Sequence, residues 1–299
     1  MRRHFCIASA CKILGYSRQA YYKPVANNKM EDTANLLFQI LPDVVTSRKK
    51  RPTKGCRCIY QEFAHKWPIG RDRIVSLLID SGYGVRFPKR YHKATQSGNR
   101  EFPNLLVNKK IDDINQVWQS DMAHYMVEDK RFYTIYITDV YSQEIVGHGA
   151  FITNQAANYN AVLLQAINAQ IEILMGLIHH SDGGKQYESM IYKATCSRFG
   201  IQQSMCMFSF ENPYAEKTND LINNGYLNSW KPTTLTELRR KQSQAVRDHN
   251  LYSKKRRLGG KSPIEFKKWI KENKNNANPI LELKPSNPEQ PRNKTLHLN

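Results

Sequence analysis

The sequence of 299 residues has no run approaching the roughly 20 apolar residues of a membrane-spanning helix. Its best start for a secretory leader fails too. Arg2-Arg3 is followed by an apolar stretch from Phe5 to Cys11 that Lys12 interrupts after seven residues. There is no C-x-x-C pair, and no His stands at zinc-finger spacing from any of the six cysteines, Cys6, Cys11, Cys56, Cys58, Cys196 and Cys206. Cys56 and Cys58 are two apart on an expected helix and so face different directions; all six are read as reduced packing residues. These absences place the chain away from membranes and disulfide scaffolds, in the cytoplasm. Acidic residues are scarce at both ends and basic ones in the middle. Residues 1–110 hold 22 Lys and Arg against 7 Asp and Glu, and residues 231–299 hold 17 against 6. Residues 111–230 reverse the balance, with 6 against 13, inside a net charge of +19. An acidic centre between basic arms suits a metal-dependent nuclease core with segments that grip nucleic acid.

Three carboxylates stand out in that centre. Asp121 lies in Val117-Trp118-Gln119-Ser120-Asp121, a strand-like run followed by a second strand, Tyr133 to Val140. Asp182 lies in His179-His180-Ser181-Asp182-Gly183-Gly184, just before a Gly-Gly turn that closes a strand. Glu216 lies in Glu211-Asn212-Pro213-Tyr214-Ala215-Glu216, in the first turn of a helix that Asn212 can cap and Pro213 can open. Two strand-borne Asp and one helix-borne Glu can converge on hard divalent cations, which take oxygen ligands. His180 is expected to be a packed residue rather than a contact to a substrate strand.

The run W-x-x-D, then H-S-D-G-G-x-Q-Y, then E-N-P-Y-A-E, resembles the Asp-Asp-Glu catalytic core of insertion-sequence transposases. It is most similar to the second-frame (OrfB) product of two-frame elements, which share the integrase catalytic core of retroviruses. The intervals of 61 and 34 residues fit, the second being slightly short of the family's usual one. The resemblance extends over roughly residues 7–270. It implies catalytic, metal-binding roles for Asp121, Asp182 and Glu216, with two Mg²⁺ (or Mn²⁺) ions as cofactors. It implies cleavage at the ends of a DNA element followed by strand transfer. The partners would be double-stranded DNA, further copies of the chain as a homo-oligomer and an upstream-frame OrfA product, in a nucleoid-associated cytoplasmic protein.

The expected fold is α/β: an RNase H-like core with a mixed five-stranded sheet and flanking helices, preceded by an all-α helix-turn-helix region. Residues 1–93 form the helical DNA-binding region, with helix-turn-helix candidates at 7–23 and 55–82. In the first, Ser17 caps a short helix from Arg18 to Lys23, and a separate amphipathic helix covers 31–47. In the second, Ile59, Phe63 and Trp67 face Ile74, Leu77 and Leu78, and Arg71 and Arg73 open a recognition-like helix. Arg86, Lys89 and Arg90 follow as DNA contacts. Residues 94–116 read as a linker and 117–230 as the core, with a third strand over 145–152, helices over 156–174 and 187–199, and a last strand over 201–205. Residues 231–272 form a basic helical part in which Lys254, Lys255, Arg256 and Arg257 would meet phosphates, and 273–299 a disordered tail. The closing pattern keeps S-P-x-E-F at Ser262 to Phe266 but not the Y-N-x-x-R-P-H stretch near His249 and Asn250.

The chain departs from the family at one place. Seven residues beyond Glu216, on the same helical face, the family carries Lys or Arg; here stands Asn223. Lys217 points about 100° away from Glu216 and is a poor substitute. A lysine at 223 is therefore expected to strengthen DNA engagement. The alternative to an active transposase is a catalytically decayed relic acting only as a DNA-binding protein. A nuclease on RNA–DNA hybrids fits the core but leaves the helix-turn-helix regions unused.

Overall fold

The computed structural model describes residues 7–67, 69–85, 101–170, 174–206, 211–273 and 281–282, leaving aside the side chains of 22–31 and 281–282. The chain divides into two compact units, residues 1–88 and 89–299.

The first unit is helical: α1 (Ile7–Ile13), α2 (Arg18–Lys50), α3 (Cys56–Phe63) and α4 (Arg71–Leu78), with a π-turn over Ile79–Tyr83. Ser17 caps α2 as expected, its Oγ accepting from Ala20 N at 3.0 Å. The expected break after Lys23 is not there; α2 runs on for 33 residues. Leu36, Ile40 and Val44 pack as one stripe against Cys56, Ile59, Phe63, Trp67, Ile74 and Leu78. That tertiary burial outweighs local helix-breaking chemistry. Cys56 is buried and Cys58 exposed, so the two do face apart. Gly82, with φ of 85°, ends the π-turn in a conformation that side chains disfavour.

The second unit is built on β1 (Lys110–Ile111), β2 (Val117–Val127), β3 (Lys130–Asp139), β4 (Ile145–Phe151), α5 (Ala156–Asn168), β5 (Ile178–Ser181), α6 (Met190–Arg198), β6 (Gln202–Met205) and α7 (Pro213–Ile222). A π-turn, Asn223–Leu227, and the single turn α8 (Asn228–Trp230) lead into α9 (Leu235–Tyr252), α10 (Pro263–Glu272) and β7 (Leu281–Glu282). The main sheet has the order β4-β3-β2-β5-β6. Strands β2, β3 and β4 are antiparallel neighbours, while β5 and β6 run parallel to β2. This is the expected mixed five-stranded sheet.

Both faces of the sheet are covered, so β3 is buried almost throughout from Phe132 to Asp139. Ile135 and Ile137 pack with Val162, Leu163 and Ala166 of α5 and with α6. Phe132 and Tyr136, of the opposite parity, pack with Ile222, Tyr226, Leu238 and Val246 of α7, its π-turn and α9. The approach of α5 needs glycine in β4: a Cβ on Gly147 would lie 2.9 Å from the Val162 carbonyl oxygen.

Several boundaries move. α5 ends at Asn168 rather than 174, and α6 starts at Met190 rather than 187, because Tyr187 is held in the preceding turn with its hydroxyl 2.9 Å from Ser120 Oγ. Residues 101–116, expected as linker, are packed into this unit. Leu106, Ile111 and Ile114 are buried, and Leu105 N donates to Ser204 Oγ at 2.9 Å. Residues 231–272 are likewise no separate part: Asn250 clasps the Ile145 backbone at both N and O, at 3.0 Å each. Within the expected disordered tail, Leu281–Glu282 pairs antiparallel with β1; the rest of that tail lies outside the described residues. Among the described residues the five cysteines are free thiols, and no helix is long and apolar enough to cross a membrane.

Candidate active site

The sheet register brings the first two carboxylates together. Ser120 on β2 pairs with Ser181 on the parallel β5, so Asp121 and Asp182, each one residue further on, emerge side by side. α7 packs over β2 and β3 and adds Glu216, exposed, from its first turn. The three interact as charges: the Asp121 carboxyl is pushed up to about 7, first by burial and then by the negative charges of Asp182 and Glu216. Met122 N and Asn219 Nδ2 each donate to Asp121 at 2.8 Å and partly offset this. Gly184 N, in the turn after β5, donates to Asp182 Oδ1 at 3.3 Å.

Two buried amides fasten α7 to β2 beside these carboxylates. Gln119 Oε1 accepts from Tyr214 N at 2.9 Å, and Asn212 Nδ2 donates to Ser120 O at 2.9 Å. Asn212 thus stands at the expected N-cap position, but its side chain makes no capping bond. It ties the helix to the strand that carries Asp121. Gln119 and Asn219 escaped the sequence reading because a lone amide carries no spacing signal. Gln119 nonetheless stands inside W-x-x-D, and Asn219 one turn beyond Glu216.

His180 is the packed residue expected of it. It is buried, with Nδ1 2.8 Å from Ser204 Oγ, and burial pushes it down to about 4. Asn223 overturns its expectation. Glu216 is exposed, but Asn223, at the start of the π-turn, turns in against the sheet and is only 4% exposed. Its Oδ1 accepts from Tyr136 Oη at 3.1 Å, and its Nδ2 lies 3.4 Å from Thr134 Oγ1. A cation here would be buried over β3, so Asn223 marks no missing DNA contact.

The expected DNA contacts divide. Arg71 and Arg73 are exposed at the start of α4, with Arg71 bonded to Asp72 at 2.8 Å. Arg86, Lys89 and Arg90 lie outside the described residues. Lys254, Arg256 and Arg257 are exposed and Lys255 half-exposed, in the turn after α9.

Among the described residues no three His, Cys, Asp or Glu side chains already stand in a metal-holding arrangement. The donor set nevertheless fits a hard divalent ion: oxygen ligands only, with like charges that a cation would neutralise.

Comparison with known proteins identifies the family. Residues 113–207 match the family described as integrase core domain. A 31 kDa protein of insertion element IS600 from Shigella sonnei is 31% identical over 205 residues, covering 65% of this chain and 73% of that protein. The chain belongs to the insertion-sequence transposases with an integrase catalytic core. The transposase of insertion sequence IS904 from Lactococcus lactis is 29% identical, over 60% of this chain and 72% of that one. Among solved structures, the HTLV-2 integrase catalytic core in complex with magnesium aligns with 56% of this transposase and 99% of its own length, at 19% identity and a TM-score of 0.41. The integrase-core match stops at residue 207 and so leaves Glu216 to the geometry alone.

Proposed function

We propose that this transposase cleaves DNA at the ends of its element and joins the freed ends to a target, with Asp121, Asp182 and Glu216 holding two Mg²⁺ (or Mn²⁺) ions. The observation that carries the reading is the gathering of three carboxylates at one place, Asp121 and Asp182 from the ends of the paired strands β2 and β5 and Glu216 from the first turn of α7. When bound, such ions stabilise the attacking and leaving oxygens of a phosphoryl displacement. The chain's own groups position the reaction. Asn219 and the Met122 amide fix the two oxygens of Asp121. Gln119 and Asn212 hold the first turn of α7, and with it Glu216, against β2. In cleavage, water adds to the scissile phosphorus and the 3′ oxygen leaves as a hydroxyl. In transfer, that hydroxyl attacks a second phosphodiester.

The helical unit, with Arg71, Arg73, Arg86, Lys89 and Arg90, would engage double-stranded DNA, as would Lys254 to Arg257. Homo-oligomers on DNA, an upstream-frame partner and a cytoplasmic, nucleoid-associated location belong to the same proposal. The decayed-relic alternative leaned on Asn223, and the burial of that residue removes its motive.

The test is cleavage of duplexes carrying the terminal sequences of the encoding element. Asp121→Ala, Asp182→Ala and Glu216→Ala should each abolish Mg²⁺-dependent cleavage while leaving DNA binding near wild type. Near-normal cleavage by any one variant removes that residue from the site, and preference for RNA–DNA hybrids would favour the nuclease reading.

A further inference from the structure

The face of α7 adjacent to the one bearing Glu216 carries Tyr214, Lys217, Thr218 and Leu221, the spacing of one helical stripe. With Thr138 of β3 and Lys255 from the turn after α9, these residues wall a small cleft. Two ammonium groups 38 residues apart in sequence thus border one space, beside the catalytic carboxylate. A third cation is fixed nearby. Arg257 Nη1 donates to Tyr214 Oη at 3.1 Å and to Val140 O at 3.4 Å, with the guanidinium 5.8 Å from the Tyr214 ring centre.

The partners of Arg257 are neutral, so its charge is held in place without being compensated. Among the described residues no carboxylate forms an ion pair with Lys217 or Arg257, whereas Lys267 is paired with Glu144 and Lys54 with Glu62, at 2.8 and 2.7 Å. The threonine hydroxyls of the cleft bond to each other at 2.9 Å, which leaves one neutral O–H donor. Positive charge, fixed donors and a position one residue from Glu216 together suit a tetrahedral anion that is part of a strand already at the carboxylates.

We propose that Lys217, Lys255 and Arg257 form a subsite for a backbone phosphate of bound DNA, next to the phosphodiester engaged by Asp121, Asp182 and Glu216. The subsite rests on the strand-cleavage reading above. It supplies from the adjacent helix face and the C-terminal turn the grip that Asn223 does not give. Lys254 and Arg256, in the same basic run, lie outside it.

The experiment measures equilibrium binding of the full chain to end-sequence duplexes across a salt series. Single phosphates near the scissile position are replaced by neutral methylphosphonates. The variants are Lys217→Gln/Lys255→Gln/Arg257→Gln, the control Lys254→Gln/Arg256→Gln, Arg257→Lys and Glu216→Gln. The triple variant should lose roughly 10-fold or more in affinity and flatten the log–log salt slope by about 0.9 per lost contact. One or two methylphosphonate positions should weaken wild-type binding and cease to matter in the triple variant. Arg257→Lys should keep most of the affinity. A triple variant with the wild-type slope, the same methylphosphonate sensitivity, or a loss no greater than the control's overturns the subsite. Should the triple variant melt early, Lys217→Gln alone, a change to an exposed side chain, takes the methylphosphonate test. Cleavage by Glu216→Gln at the wild-type rate would instead sink the catalytic reading, without touching the binding result.

Discussion

Asn223→Lys separates what a helical wheel says from what the packed molecule says. On the wheel, a lysine there shares the face of Glu216 and should help hold DNA. In the fold Glu216 stays exposed while Asn223 is pressed on β3: it is 4% exposed and the Tyr136 side chain that donates to it is fully buried. Lysine offers no acceptor, so the buried Tyr136 O–H loses the amide oxygen it donates to and keeps only Gln242 and Thr134 beside it, at a cost of about 1–3 kcal/mol. The longer chain overfills the site for about another 1–3 kcal/mol, and its amine must enter unpaired or stay neutral. The first two costs sum to about 2–6 kcal/mol. For a unit of this size each kcal/mol lowers the melting temperature by roughly 2–4 °C. Asn223→Lys should therefore melt roughly 4–24 °C below wild type, with Asn223→Ala in between. Thermal unfolding followed by circular dichroism, with cleavage assayed well below both transitions, is the measurement. An unchanged melting temperature together with stronger end binding would refute the burial argument and restore the wheel.

Three further outcomes follow from the packing. Gly147→Ala should lower stability by about 1–3 kcal/mol, because its methyl would meet the Val162 carbonyl oxygen at 2.9 Å; an unshifted melting curve would mean that α5 is free to retreat. His179, held near Tyr192 Oη at 3.1 Å, is pushed down by burial to about 3. The unfolded chain therefore binds a proton below pH 6.5 that the folded one refuses, and stability falls as pH drops from there toward the folded value. His179→Gln should remove about 1.4 kcal/mol of that loss per pH unit, so urea midpoints of wild type and variant should diverge between pH 6.5 and 4, and parallel curves would count against it. A chain cut at residue 230 should be insoluble or molten, since Leu238, Ala245 and Val246 of α9 cover Phe132, Tyr136 and Ile145; a cooperative melt of that fragment would show the core to be self-sufficient.

The sheet was legible because its signals are local and repeated. The Tyr-, Ile- and Thr-rich run of β3, the Gly-Gly turn after Asp182 and Pro213 at the head of α7 each have one structural meaning. S-P-x-E-F, kept where its neighbours were lost, is a helix start: Ser262 and Glu265 form a capping box, Pro263 opens α10 and Phe266 is buried. What stayed hidden needed a partner from far along the chain. Nothing near Gln119 announces the Tyr214 amide, 95 residues away. Periodicity put Asn223 on the face of the exposed Glu216, but the π-turn that starts at Asn223 breaks the helical period and Asn223 is buried. The apparent linker misled because its short, polar-flanked segments bury only isolated apolar residues, Leu106, Ile111 and Ile114, and so show no period.

The charge pattern changes meaning in three dimensions. Read along the chain, an acidic centre and a basic C-terminal arm are two segments, the second reaching out to DNA. In the fold they are one unit. α9 lies along β4, where Gln242 and Arg239 donate to the carbonyl oxygens of Gly149 and Ala150 at 3.0 and 2.9 Å, and Lys267 closes onto Glu144. Part of the basic excess is therefore consumed inside the molecule, as backbone clasps and an ion pair, and cannot grip DNA. The charge left over is not spread along the arm; Lys255 and Arg257 are carried back to the first turns of α7, beside Glu216. A surplus counted from sequence thus overstates the number of phosphate contacts and understates how close those that remain stand to the carboxylates.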